Sequence, residues 1–210
     1  MKNLKLFLFL PIALLLNGVS HSIEQSTTSK QPVSLDSQKP ENINDQSWNN
    51  LKAAIQEQKL LAANFQTGAN FGISVSLLGD RALVGASGYN SNKGTAYIFD
   101  YAGGIWNYTA ELLTSTSIGD NFGNAVSLQG DRALIGAYGD NSNQGAAYIF
   151  ELNNGMWSLE ATLLAGDGLA GDQFGYSVSL SNDRAIIGAN QDDSGEGAVY
   201  VFDFTAVPLT

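Results

Sequence analysis

The chain has no cysteine and a single histidine, His21. Without cysteine there are no disulfides, no thiolate nucleophiles and no lipid attachment at sulfur. Without a second histidine, everything beyond residue 21 lacks the commonest general base and the commonest zinc ligand. Serine–histidine hydrolysis therefore lacks its base, and zinc hydrolysis lacks its commonest ligand, which nearly excludes both. Arginine is almost as scarce, with only Arg81, Arg132 and Arg184 present. From residue 71 onward, four basic residues stand against fifteen acidic ones, within a whole-chain net charge of −10. Such a surface repels phosphate backbones and anionic lipid heads, so nucleic acid and charged membranes are excluded as partners. Long apolar runs are missing too. Leu6 to Leu16 gives eleven residues interrupted by Pro11, well short of the ~20 that a spanning helix needs.

That short run follows Lys2 and Lys5 and precedes Gly18, Ser20 and Ser22. This is the layout of a secretory signal with a small-residue cleavage site. Residues 1–22 are accordingly expected to direct export, giving a secreted (extracellular or periplasmic) protein with no membrane span in the mature chain. Residues 23–58 are expected to be disordered and partly helical. The stretch 23–46 is polar and poor in aromatics, so it cannot bury enough apolar surface to offset its ordering entropy. Within 47–58, Trp48, Leu51 and Ile55 fall at helical spacing behind Ser47, a candidate N-cap.

From residue 59 to 204 the sequence repeats itself. Phe71-Gly72-Ile73-Ser74-Val75-Ser76-Leu77 returns as Phe122-Gly123-Asn124-Ala125-Val126-Ser127-Leu128 and again as Phe174-Gly175-Tyr176-Ser177-Val178-Ser179-Leu180. Each is followed by a turn and an Arg-Ala-Leu/Ile-Val/Ile-Gly-Ala run. Periods of 51 and 52 residues belong to blade and solenoid architectures. Every copy divides into four strand signals. An alternating Val-Ser-Leu strand turns tightly at Gly130-Asp131 or its counterpart into Ala-Leu-Ile-Gly-Ala. A loop of Asn, Asp, Ser and Gly leads to a third strand (Thr95–Phe99, Ala146–Phe150, Ala198–Phe202). A turn such as Asn154-Gly155 then leads to a fourth (Trp106–Leu113, Trp157–Leu164). Both faces of these strands carry small or apolar residues, which suits a sheet packed between two neighbours. Copy three stops after its third strand. An unmatched fourth-strand signal, Lys59–Ala62, precedes copy one, so the N-terminal strand is expected to complete the last sheet. Residues 205–210 read as a tail.

The pattern Phe-Gly-x-Ser/Ala-Val-Ser-Leu, Leu-Ile-Gly-Ala and Gly-Ala-Ala-Tyr-Ile-Phe resembles the FG-GAP repeat of integrin α-subunit propellers and their bacterial relatives. The resemblance covers residues 59–204 in three in-phase copies. It implies an all-β, β-propeller-type fold of four-stranded antiparallel blades, three of them encoded. It also implies an extracellular adhesion or protein-interaction role, a glycan being the alternative ligand and a polysaccharide hydrolase or lyase the more distant one. Many members hold calcium in the loop between their first two strands. Here that link is only Leu78-Gly79-Asp80-Arg81 or its counterparts, and a hard cation needs about six to eight oxygens. The family's usual calcium site is therefore expected to be missing, and no cofactor is required.

Three features remain as candidate sites. The Asp-Arg pair of each hairpin reads as a turn cap joined to an arginine that pairs with a carboxylate on the neighbouring blade. Trp106, Trp157, Tyr97, Tyr148 and Tyr200 read as core between blades rather than as sugar platforms. The loops between strands two and three read as turn chemistry. The third of these loops, with Asp192, Asp193 and Glu196, is the best candidate for a calcium ion. Three encoded blades fall short of the about four to eight of a closed propeller. A homo-oligomer in which two chains join head to tail is thus the expected way to complete the ring.

Overall fold

The computed structural model describes residues 39–54, 57–64 and 66–204. The expected export signal, the first part of the polar segment and the C-terminal tail lie outside the described residues. The chain divides into two compact units, residues 1–56 and 57–210.

In the first unit, helix α1 spans Asp45–Ala54. Its start is set by Asn44, whose side-chain oxygen accepts the Ser47 backbone N–H at 2.8 Å. This is the N-cap bond of a helix beginning at Asp45. Ser47 therefore lies inside the first turn rather than at the cap, and Asp45 favours the positive end of the helix dipole.

The second unit is all β. Strands β1 (Val75–Leu78), β2 (Arg81–Ala86), β3 (Thr95–Ala102) and β4 (Ile105–Leu112) form one antiparallel sheet in sequential order. Strands β5 (Ala125–Gln129), β6 (Arg132–Ala137), β7 (Ala146–Asn153) and β8 (Met156–Leu163) form a second sheet of the same order. Strands β9 (Phe174–Ser181), β10 (Arg184–Ala189) and β11 (Ala198–Asp203) form a third, with β11 at its edge. The hairpin turns are two residues long and open on Gly79, Gly130 and Asn182, each with positive φ. Gly and Asn populate that region at least cost.

Alternation along the central strands sends apolar residues to both faces, and each buried face meets the next sheet. Leu83, Ala96, Ile98 and Leu112 of sheet one pack against Phe122, Val126 and Ile135 of sheet two. Leu134, Ala147 and Ile149 on the opposite face of sheet two pack against Phe174, Leu180 and Ile187 of sheet three. The first strands β1, β5 and β9 lie side by side, whereas β4 and β8 close the outer edges of their sheets. This is the fan of propeller blades. Backbone approach between blades is close. A methyl group on Gly85 would stand 1.9 Å from the Gly123 carbonyl oxygen, and one on Gly136 would stand 2.0 Å from that of Gly175.

Two expectations about the ends need adjustment. Lys59–Ala62 forms no strand and does not pair with β11. Instead Leu60 and Ala62 lie on the open face of sheet one, against Val84, Ala86, Tyr97 and Phe99. Gln58 fastens this segment to the backbone of β4, donating to the Trp106 carbonyl at 2.8 Å and accepting its N–H at 2.7 Å. A lone segment can reach these side-chain and backbone groups without leaving sheet one, so among the described residues the last sheet has three strands.

Candidate functional site

Each blade presents the same pair of segments at one edge: the loop before its Phe-Gly pair, and the turn between its second and third strands. The turns are built from consecutive residues in the left-handed region. They are Asn90, Ser91 and Asn92 in blade one, Asn141, Ser142 and Asn143 in blade two, and Asp193 and Ser194 ahead of Gly195 in blade three. Each such non-glycine residue costs roughly 1–2 kcal/mol, least for Asn and Asp. Their side chains, short and polar, can bond locally, which is why these residue types fill the loops.

The loop before each Phe-Gly pair is closed by its own aspartate where one is present. Asp120 accepts the Ser117 N–H, and Asp172 accepts the Leu169 N–H at 2.5 Å. Their backbone carbonyls accept Gly139 N–H at 3.0 Å and Gln191 N–H at 3.2 Å, tying each loop to the turn beside it. Burial raises the Asp120 carboxyl above the ordinary range, against the opposing pull of the Ser117 N–H. Sequence reasoning missed both aspartates, although the repeated Gly-Asp-x-Phe-Gly of Gly119–Gly123 and Gly171–Gly175 was a visible signal.

A second acid faces a tyrosine across the turns of blades two and three. The Tyr148 hydroxyl donates to Asp140. That of Tyr200 lies 2.5 Å from Asp192 and 2.9 Å from Asp167, so its one proton serves two carboxylates. Burial first, and the Asp140 hydrogen bond second, push the Tyr148 phenol well above its usual range. For Tyr200 the Asp192 hydrogen bond comes first. In blade one Tyr89 stands at the place of Asp140 and Asp192, and the buried Tyr97 hydroxyl has no hydrogen-bond partner among the described residues.

The three carboxylates singled out in the third loop point to different tasks. Asp192 is buried and bound to Tyr200, while Asp193 and Glu196 are exposed. Among the described residues, no three His, Cys, Asp or Glu side chains gather closely enough to hold a metal ion. The arginines do not form a ring of free cations. Arg81 bonds Asp100 on the adjacent strand at 2.7 Å, Arg132 reaches Glu160 and Glu151, and Arg184 pairs with Asp203. Their main partners lie within their own sheet, not on the neighbouring blade, because cross-strand register places Asp100, Glu151 and Asp203 directly opposite. Arg81 also approaches the next blade, at 3.7 Å from Asp131, and the Arg132 guanidinium lies over the ring of Phe204, 5.7 Å from its centre. The aromatic residues sit in or against the cores between and beside blades, Trp157 beneath the Arg81 guanidinium and Trp106 on the face of sheet one.

Among the described residues, three equivalent shallow grooves open at this edge. One of about 560 Å³ lies between the Ser117–Asp120 loop and the Gly139–Asn143 turn. One of about 410 Å³ lies between Leu169–Asp172 and Gln191, Asp193 and Ser194. The third, about 350 Å³, lies between Asn64 and Gln66 and the turn at Tyr89 and Asn90. Their walls are amides, hydroxyls and carboxylates, and at the rims of the first two stand Ile118 and Leu169, 72% and 69% exposed. Such surfaces offer hydrogen bonds and an apolar anchor to a partner. They do not place an acid and a base across an enclosed cleft.

Residues 55–99, 106–150 and 157–202 match the family model of the FG-GAP repeat. The chain is also similar to integrin alpha-PS5 of Drosophila melanogaster, with 32% identity over 126 residues, which take in 53% of this chain. It spans 12% of that relative's length.

Proposed function

The chain belongs to the FG-GAP repeat family, and on that premise we propose that it is an exported, non-catalytic adhesion module that binds an extracellular protein through the loop edge of its blades. The observation that carries this reading is the threefold presence of one groove. A catalytic site needs a single set of groups held in one geometry. A binding edge gains from the same shallow polar surface presented side by side, with Ile118 and Leu169 as apolar anchors. The acids at the edge support the same reading, since Asp120, Asp172, Asp140 and Asp192 are already engaged with backbone N–H groups or tyrosines. The apolar run behind Lys2 and Lys5 supports export. Membrane attachment has no support from the helices, since among the described residues none is long and apolar enough to cross a bilayer.

The test is a binding screen of the purified chain against extracellular proteins and, in parallel, a glycan array. Protein ligands are expected, and the double variant Ile118→Asp/Leu169→Asp should weaken their binding at least about tenfold without moving the melting temperature. Binding to glycans alone, binding untouched by the double variant, or turnover of a polysaccharide would each contradict the proposal.

A further inference from the structure

The two outer faces of the blade stack carry the same residue positions that are buried between its blades. Val75 and Leu77 of sheet one occupy the places that Val126 and Leu128 occupy in sheet two. The latter are at most 9% exposed against sheet one, whereas Val75 and Leu77 are 70% and 67% exposed. At the other end, Ile186, Val199 and Val201 of sheet three repeat Leu134, Ala147 and Ile149 of sheet two. There, residues 1% exposed or less give way to residues 45%, 64% and 60% exposed. We propose that a second copy of this chain covers these faces, sheet one of each copy docking on sheet three of the other. The inference is independent of the ligand reading above, since it concerns the ends of the stack and not its loop edge.

The polar groups repeat in the same way as the apolar ones. Between blades one and two the Leu128 N–H donates to the Ser76 hydroxyl at 3.0 Å. Between blades two and three the Leu180 N–H donates to Ser127, also at 3.0 Å. The next pair in the series is Ser179, exposed on sheet three, and Leu77 of the second copy. Arg81 reaches Asp131 of the following blade and lies over its Trp157. Arg184, 73% exposed, has Asp80 and Trp106 of the second copy as the corresponding partners. Gly85 and Gly136 are held to glycine by the carbonyl oxygens of Gly123 and Gly175 in the next blade. Gly188 repeats them, yet the only close atoms it would meet are those of Ser177 in its own sheet. The Gly72 carbonyl of a docked copy is the missing neighbour.

The edge fits as well. Strand β11 carries no fourth strand among the described residues, where β3 and β7 pair with β4 and β8. Leu163, at the end of β8, sits opposite Ala147 and packs against the core that sheet three forms. Leu60 lies on sheet one in the corresponding manner and, like Leu163, precedes its Phe-Gly pair by eleven residues. Docking brings Leu60 beside Val199 of the other copy and gives β11 a neighbour, closing an edge that would otherwise template aggregation. The described residues of two copies supply six sheets, within the about four to eight of closed propellers, a number at which a head-to-tail contact can close into a ring instead of extending into a filament.

Native mass spectrometry of the chain, purified from the cells that make it, reads the stoichiometry. A species of twice the chain mass is expected. Val201→Asp and Leu77→Asp, both at positions exposed in the single chain, should each weaken pairing more than about 100-fold while leaving each single chain's circular dichroism unchanged. Because the interface joins unlike faces, mixing the two variants should restore a pair, through the Leu77 face of the first and the Val201 face of the second. A monomer at every concentration, a dimer indifferent to both substitutions, or a mixture that fails to pair would overturn the proposal. A monomer that still binds its protein ligand would overturn this inference alone.

Discussion

Tyr148 and Tyr200 show how the loop edge is held by single residues. Each phenol lies in the blade and reaches out to an aspartate of the turn above it, so turn and sheet are joined by one proton. Burial and the Asp140 bond hold the Tyr148 phenol above its usual range, while the same group in the unfolded chain titrates near ~10. The folded state thus keeps a proton that the unfolded state loses, and stability falls as the pH climbs above that value. The contribution is fully present below ~10 and is lost toward the higher folded value. Thermal melting followed from neutral to alkaline pH should show this decline in the parent chain. In Tyr148→Phe the alkaline limb should be shallower, and parallel curves for the two proteins would refute the assignment. The acidic loops were legible as turns from their Asn, Asp and Ser content. The partnership of Asp192 with Tyr200 was not, because eight residues of strand and turn separate them and only the left-handed turn brings them together.

At the level of the strand, spacing between blades is set by glycine. A methyl group at Gly136 would stand 2.0 Å from the Gly175 oxygen, a contact that backbone on both sides cannot relieve without parting the sheets. Gly136→Ala should cost about 3 kcal/mol in chemical denaturation. Gly166→Ala, whose added methyl would meet nothing within 4 Å, should stay within about 1 kcal/mol of the parent. Equal effects would mean that the sheets do not approach as described. Strand identity was readable from the sequence because alternation, turn residues and the 51- and 52-residue periods agreed with one another. The third strands run on to Ala102 and Asn153, beyond the expected Phe99 and Phe150, since the residues there still pair with β4 and β8. The place of Lys59–Ala62 in the repeat, with Leu61 ten residues before Phe71 as Leu164 is before Phe174, predicts a strand, yet a strand is made by a partner. Within one chain its partners are side chains and the edge of β4.

For the molecule as a whole, repetition of sequence became repetition of interface. The Phe of each Phe-Gly pair packs on the Tyr and Phe of its own third strand, with ring centroids 5.4–6.1 Å apart in blades two and three. In those two blades it is fully buried, with the preceding blade on its other side. The number of blades and the phase of the copies could be counted in the sequence. Which edge of the stack would offer grooves could not, because the grooves arise between a loop and a turn that are neighbours only after folding. The stacking itself is open to direct observation by amide hydrogen exchange. The Leu128 and Leu180 amides bond to serine hydroxyls of the preceding blade, and Phe122 and Phe174 N–H donate to the Lys93 and Gln144 carbonyls across the same seams. Stacked blades require these four amides to exchange as slowly as those in the centres of β2, β6 and β7. Exchange at all four as fast as at the exposed Gly103–Gly104 turn would show that the blades do not pack face to face.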